Sequence, residues 1–493
     1  MVREETLDPE NWDEFRKLAH NMLDDMITHL ETVGAKTPII ATDNQRAPIY
    51  KPLSRDGVGE ETAYTEFKKN ILPHTVLHKS SRWWGWVIGG GTPYGMLTNM
   101  LTGALNQIET NSLTIAYAVN KQALNWIKEM LDYPLDSSGV FVTGGSEANF
   151  TGLAVARNAM AEVDMKEKGM QGVPRKMTLY VSEEGHHCLE RSVELLGIGK
   201  DALRWVPTDD YYKIRLDVLQ KWINEDRAKG LHPFCVIGNA GTVNTGAFDD
   251  FNGLADLVKR EKMWLHVDGA FGAWVKLSDT HRHLANGMER ADSLAVDLHK
   301  WMSMPYGIGF TLTRHPRQHL ETFVYGHEAA YIKMFLDRTI DEMLGSSQNM
   351  GLRMSNEFLA LKAYMLLSAY GSDKFARVVQ GNIDQINYLA DRIRGERDLE
   401  LAAPVESNIV CFRYRPPGLS VEQVDELNRR IFQAQMTPSK GIWLGVSDTT
   451  IKGRYTLRAC NVNHRTRRED FDWLVAEVKR LGERLVPEVV AKK

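Results

Sequence analysis

The stretch "ADSLAVDLHKWMSMPYGIGF", residues 291–310, decides how the chain is read. Leu294, Ala295 and Val296 form the kind of continuous apolar run that a strand buried on both faces requires. The run stops at Asp297, and His299, Lys300 and Trp301 follow at once. Open α/β folds keep their ligands just past the carboxyl ends of such strands. A lysine at that place is a candidate for chemistry. Taken alone, the dipeptide also fits a surface lysine whose stem packs along Trp301.

Four further runs in residues 96–365 share this design: "GVFVTGG", "MTLYVS", "FCVIGNAG" and "MWLHVDGA". They alternate with helical patterns, which predicts an α/β unit with a mainly parallel sheet flanked by helices. Upstream, residues 8–32 place Trp12, Phe15, Leu18, Met22, Met26 and Leu30 at three- and four-residue intervals, the mark of an amphipathic helix. A polar, proline-dotted connector follows from Val33 to about Ala63. After Tyr370 the order is helix, strands, helix, strands, helix, which predicts a small α+β unit. The expected division is 1–95 as an N-terminal helical and extended dimerisation segment, 96–365 as a large ligand-binding domain and 366–493 as a small C-terminal domain.

The 493 residues exceed what one compact core holds. Lys+Arg at 60 against Asp+Glu at 64, a formal net charge of -4, leave no basic excess for a phosphate backbone. Nucleic acid is therefore not an expected partner. The opening "MVREETLDPENW" is charged, and no run approaches the roughly 18 apolar residues of a membrane span. We expect a cytoplasmic protein without a membrane partner. Cys188, Cys235, Cys411 and Cys460 lie far apart in no metal-binding spacing, so neither a disulfide framework nor a metal site is expected.

Each apolar run ends in residues that a strand does not need. "GVFVTGGSEANF" gives a Gly-Gly turn and a helix opening near Gly145 and Ser146, where exposed amides suit a phosphate. It lacks the third glycine of a dinucleotide fingerprint and the lysine of a P-loop. "LYVSEEGHHC" leaves His186 and His187 between strand and helix, "GNAGTVN" leaves Thr242, and "WLHVDGAFGAW" leaves Asp268 at a strand end, where a carboxylate needs a partner. Each alone also reads as a cap or a turn. A phosphate cradle, a flat imidazole, a hydroxyl, a carboxylate and then a lysine together match the needs of pyridoxal 5'-phosphate.

With these segments in view, the chain resembles the group II pyridoxal-phosphate-dependent amino-acid decarboxylases of fold type I. "HVDGAFGAW" is similar to that family's HVDAAYGG segment, and "ADSLAVDLHKW" to its ADSxxxxxHKW segment. The resemblance implies that Lys300 is the Schiff-base lysine, that Asp268 pairs with the pyridinium, and that Ala270 packs on the ring. It implies that His299 reaches the phosphate with Gly145 and Ser146, and that Thr242 sits near the ring hydroxyl. His186 matches the histidine of the family's SxxxHxS segment and would stack on the other ring face. His187 beside it leaves that choice to alignment. Asp297 stands where several relatives carry Asn, and an anion there would repel a phosphate. Burial near cationic groups is expected to lower the Lys300 amine, which must be neutral to attack an aldehyde.

The family's counterpart of "RWWGWVIGGG" lines the side-chain pocket, so Trp83, Trp84 and Trp86 are expected there, favouring an aromatic or bulky apolar L-amino acid. Packing at a subunit interface is the other reading of those rings, and glutamate would instead call for a cation such as Arg82. Residues 321–352 correspond to a loop reaching a neighbouring subunit's site, in which Tyr331 aligns with the proton donor. The resemblance thus implies an obligate homodimer with shared active sites, decarboxylating a small-molecule L-amino acid to the amine and CO2. Other reactions on the same cofactor stay open: an aldehyde-forming oxidative deaminase, a carbon–carbon lyase or an aminotransferase. A non-catalytic cofactor-binding homologue is a further alternative.

Overall fold

The structure, a computed structural model, describes residues 6–36, 41–53, 55–75, 78–109, 114–324, 343–344, 346–435 and 444–491. Its centre is a seven-stranded sheet: β1 (Ser138–Val142), β2 (Met177–Ser182), β3 (Leu203–Val206), β4 (His232–Asn239), β5 (Trp264–Asp268), β6 (Ser293–Asp297) and β7 (Gly309–Thr313). The spatial order is β1-β7-β6-β5-β4-β2-β3. The five apolar runs are β1, β2, β4, β5 and β6, and the neighbours from β6 to β3 pair in parallel. β7 runs antiparallel to both β1 and β6. It and short β3 were not expected from the sequence. This is the α/β architecture the sequence predicts.

Every residue of β1, β2, β5, β6 and β7 is buried, as a sheet covered by helices on both faces demands. The helix Gly145–Met160 crosses the backs of β5, β6 and β7, and the helices Leu216–Ala228 and Phe251–Glu261 pack on β4. Asp250 caps the last of these, its carboxylate accepting from the Gly253 amide at 3.0 Å.

A second, four-stranded antiparallel sheet comprises β8 (Leu399–Leu401), β9 (Ile409–Tyr414), β10 (Ser447–Ile451) and β11 (Arg454–Cys460), in the order β10-β11-β9-β8. The helices Val421–Gln435 and Arg468–Val490 cover it. The helix Leu359–Arg394 runs through the expected junction at residues 365 and 366 and breaks at Gly371, whose φ of 67° no helix accommodates. The N-terminal helix is Trp12–Thr32, capped by the Asn11 side chain on the Asp13 and Glu14 amides. Its apolar stripe is open over part of its length: Trp12, Phe15, Met22 and Ile27 are exposed, Leu18 and Met26 half-buried and Leu30 buried.

Candidate active site

The strands β1, β2, β4, β5 and β6 end on one side of the sheet, and the segments after them enclose a cleft of about 570 Å³. Its lining includes Gly144, Gly145, Ser146, His186, Gly241, Asn244, Asp268, Ala270, Asp297, His299 and Lys300. Residues scattered from 144 to 300 thus meet at the carboxyl edge, where an open parallel sheet places a ligand.

Lys300 lies on a turn fastened at every side. The His299 and Leu298 amides both donate to the Ile308 carbonyl, and the Ser303 amide closes on the Lys300 carbonyl at 3.0 Å. Trp301 is buried in the main core, its indole N–H donating to Asn382 Oδ1 at 3.1 Å. The lysine is therefore held over the cleft and is not a surface residue lying on Trp301. Its Nζ is 2.9 Å from Asp297 Oδ2, an ion contact poorly aimed for a hydrogen bond. Burial pushes the Lys300 amine down, but Asp297, seconded by Asp268, outweighs it and holds the group above the ordinary lysine value. The expected downward shift is thus corrected: carboxylates dominate the amine's surroundings.

The Asp268 carboxylate ends β5 with 7 % exposure and accepts the Ala270 amide at 3.1 Å. Of the two adjacent histidines, His186 lines the cleft, and its Nδ1 accepts the Cys188 amide at 3.1 Å. The protein packed around it pushes its pKa below the ordinary histidine value, and Lys300 adds to this while Asp268 opposes it. His186 is accordingly a neutral ring near neutral pH. His299 is buried, and its Nδ1 donates to the Ile308 carbonyl at 2.9 Å, since a carbonyl can only accept. That places a proton on Nδ1 and leaves Nε2, 3.8 Å from Asp297 Oδ2, as the nitrogen that a second proton would turn into a donor to an anion.

These residues fit pyridoxal phosphate. Gly144 and Gly145 open the start of the helix Gly145–Met160. A Cβ on Gly145 would stand 2.8 Å from Asp297 Oδ2 and 3.2 Å from the Ala270 methyl, and one on Gly144 would stand 3.0 Å from His299 Cε1. Only glycines leave that space, so the amides of Gly145 and Ser146 can close on a phosphate with His299 beside them. An imidazole, a carboxylate and an amine line the same cleft as this cradle. Two carboxylates oppose an anion there: Glu147, paired with Arg353 at 2.9 Å, and Asp297, whose charge faces Lys300 and His299 and whose Oδ1 has no hydrogen-bond partner among the described residues.

Three expected site residues are placed elsewhere. Trp84 is fully buried in the core of the small sheet, stacked on Phe471 at 4.7 Å between ring centroids, with its indole N–H on Thr466 Oγ1 at 3.1 Å. Trp83 is buried behind Trp86, with its N–H on the Gly85 carbonyl. Of the three only Trp86 lines the cleft, 64 % exposed, at a φ of 52° and edge-on to the Trp83 ring at 5.9 Å. The Thr242 hydroxyl is spent inside its own turn, on Thr245 Oγ1 at 3.0 Å and the Ala247 amide at 3.0 Å, so Gly241, Val243 and Asn244 form that wall instead. Arg82 is likewise engaged, by Asp470 at 3.1 Å and by the Trp473 ring. Tyr331 lies outside the described residues, as do 325–342 as a whole.

The sequence reading missed Arg458. It sits on β11 with 4 % exposure and faces the cleft. Its Nε donates to the Asn244 carbonyl at 3.0 Å and its Nη1 to the Trp86 carbonyl at 3.0 Å. It has no carboxylate partner among the described residues. A buried guanidinium satisfied by neutral groups alone is an unusual and expensive arrangement unless an anion joins it. The signal was present in "RYTLRACNV", an arginine at a buried position of an apolar strand.

Residues 57–415 match a family model described as the pyridoxal-dependent decarboxylase conserved domain. The chain is 30% identical over 476 residues to an aromatic-L-amino-acid decarboxylase of Bacillus atrophaeus, covering 96% of each chain. It is 33% identical over 412 residues to an aspartate 1-decarboxylase of Aliivibrio fischeri, covering 77% of this chain and 73% of that one. The structure of Oryza sativa TDC with PLP and tryptamine superposes with a TM-score of 0.87 at 20% identity, over 98% of this chain and 100% of that one.

Proposed function

The chain belongs to the pyridoxal-dependent decarboxylase family: it is an amino-acid carboxy-lyase that uses pyridoxal 5'-phosphate, and we propose that its substrate is an aromatic or bulky apolar L-amino acid. The observation that carries the substrate assignment is the cleft's charge inventory. Lys300, His299 and His186 are committed to the cofactor, and beyond them Arg458 is the one further basic side chain of the described lining. Every amino-acid substrate brings an α-carboxylate, and Arg458 suits it. An acidic side chain would need a second cation. Trp86, Val87, Val243 and Phe271 add an apolar stretch of wall that suits a ring, beside polar Ser447 and Asp448.

In this reading Lys300 anchors the cofactor through its amine, and Asp268 keeps the pyridine nitrogen protonated by opposite charge. His186 and Ala270 would pack against the cofactor's ring. Gly145, Ser146 and His299 hold the phosphate. When bound, pyridoxal phosphate supplies the electron sink for the pair that departing CO2 leaves behind. Arg458 would hold the substrate's α-carboxylate and so orient the group that is to leave as CO2. The apolar wall excludes water, which strengthens each of these interactions. Tyr331 stands as the proposed proton donor on its sequence position alone.

We further propose a homodimer with shared sites, supported by the open stripe of Trp12, Phe15, Met22 and Ile27. A cytoplasmic location suits four buried cysteines that carry free thiols. The deciding experiment is CO2 release by the purified, cofactor-loaded protein from L-tryptophan, L-tyrosine, L-phenylalanine, L-leucine, L-glutamate and L-aspartate. The aromatic acids should give the highest kcat/KM. A preference for glutamate or aspartate would overturn the substrate assignment, and release from none of them would overturn the activity.

A further inference from the structure

The loop after β4 carries a side chain that neither the cofactor nor the substrate occupies in the reading above. Asn244 Nδ2 donates to Glu184 Oε2 at 2.9 Å, and Asn244 Oδ1 accepts the Thr449 hydroxyl at 2.5 Å. Its carbonyl accepts Arg458 Nε at 3.0 Å and the Cys411 thiol at 3.3 Å. Glu184 is two residues from His186, on the same loop, and the Val243 amide donates to its carbonyl. Thr449, Arg458 and Cys411 belong to β10, β11 and β9. One residue thus joins the loop of the ring-covering imidazole to three strands of the small sheet.

We propose that Asn244 is a positioning residue that sets where Arg458 stands in the cleft, and through it how tightly the α-carboxylate is held. The geometry leaves few alternatives for that job. Arg458 is tied to the large domain's side of the cleft through the Asn244 carbonyl, and its remaining contacts are the Trp86 carbonyl and, at 3.4 Å, Ser447 Oγ. The Asn244 amide in turn is fixed at both ends, by Glu184 on one domain and Thr449 on the other. Loosening either end lets the carbonyl, and the guanidinium on it, drift. Other bridges, such as Ser407 Oγ to the Gly246 carbonyl at 3.1 Å and Phe248 N–H to Glu406 at 3.0 Å, hold the domains together without touching Arg458. Asn244 therefore controls the arginine and not the joint as a whole.

The inference rests on Arg458 receiving the carboxylate, and the test separates the two. Thr449→Val removes one hydrogen bond at a residue outside the cleft, and Thr449→Ser restores it. Holoenzyme carrying Thr449→Val should show KM for the preferred amino acid raised about two- to tenfold, the range of one neutral hydrogen bond. Competitive inhibition by the corresponding amine, which has no carboxylate, should be unchanged, as should the visible absorbance of the bound cofactor. Thr449→Ser should return KM to the parental value. An equal rise in KM and in the amine's inhibition constant would mean general loosening and would overturn the proposal, as would a parental KM in Thr449→Val. Arg458→Met checks the premise on its own: an unchanged KM there would remove the carboxylate anchor, whatever the Thr449 variants do.

Discussion

Gly89→Ala should disable the active site from outside it. Gly89 belongs to "RWWGWVIGGG" and is buried with its backbone against the turn that carries Lys300. A methyl group built on it would lie 2.1 Å from the His299 carbonyl oxygen and 2.3 Å from that of Lys300. An unstrained carbon–oxygen contact needs more than 3 Å, so the two segments must part by about 1 Å. Neither obstacle is a side chain that can rotate aside. The Lys300 turn is pinned by the Ile308 carbonyl, by Ser303 and by the Trp301 indole on Asn382, so the displacement spreads through the cofactor-anchoring residues. Overpacking of this kind costs roughly 1–3 kcal/mol of stability, and a misplacement near 1 Å costs on the order of 10²-fold in rate. The assay is threefold: melting temperature, visible absorbance of the reconstituted cofactor, and kcat for CO2 release. Gly103→Ala is the control, because a Cβ there meets nothing within 4 Å and it lies in the helix Pro93–Leu105. The control should be neutral or slightly stabilising. Gly89→Ala protein that loads cofactor and turns over at the parental rate would refute the reasoning.

Burial pushes the Glu109 carboxyl up to about 8 from 4.5, against a hydrogen bond from Asn120 that pulls it down. A proton held more tightly in the folded state stabilises fully below 4.5, and that contribution is lost as pH rises through about 8, at about 1.4 kcal/mol per pH unit. Glu109→Gln should therefore flatten the fall of melting temperature over that window, and a parental slope in the variant would place the titration elsewhere. Asp268→Asn keeps an acceptor for the Ala270 amide but removes the charge from the cleft. It should fold normally and lose most of kcat, with an altered absorbance of the bound cofactor; near-parental turnover would show that the carboxylate serves only to cap its turn.

The strand–turn–helix rhythm of residues 96–365 and the chemistry at the strand ends are legible in the chain alone. β5 ends in Asp268 and β6 in Asp297, with His299 and Lys300 just beyond, and a buried strand cannot carry such groups without a reason. That information is local, since a strand end and its ligand-facing residue are neighbours in the chain. The tertiary structure decided what depends on partners far away. Whether Trp84 or Trp86 faces the cleft turns on Thr466 and Phe471, nearly four hundred residues on. Thr242 is withdrawn by the tight folding of its own loop on Ala247, and Arg458 gains its role only where β11 meets Asn244. β7, the short run Gly309–Thr313 with two threonines, becomes a strand only because β1 and β6 stand on either side to accept it in antiparallel register. Periodicity marks which residues must be buried; only packing, which couples residues distant in sequence, settles against what.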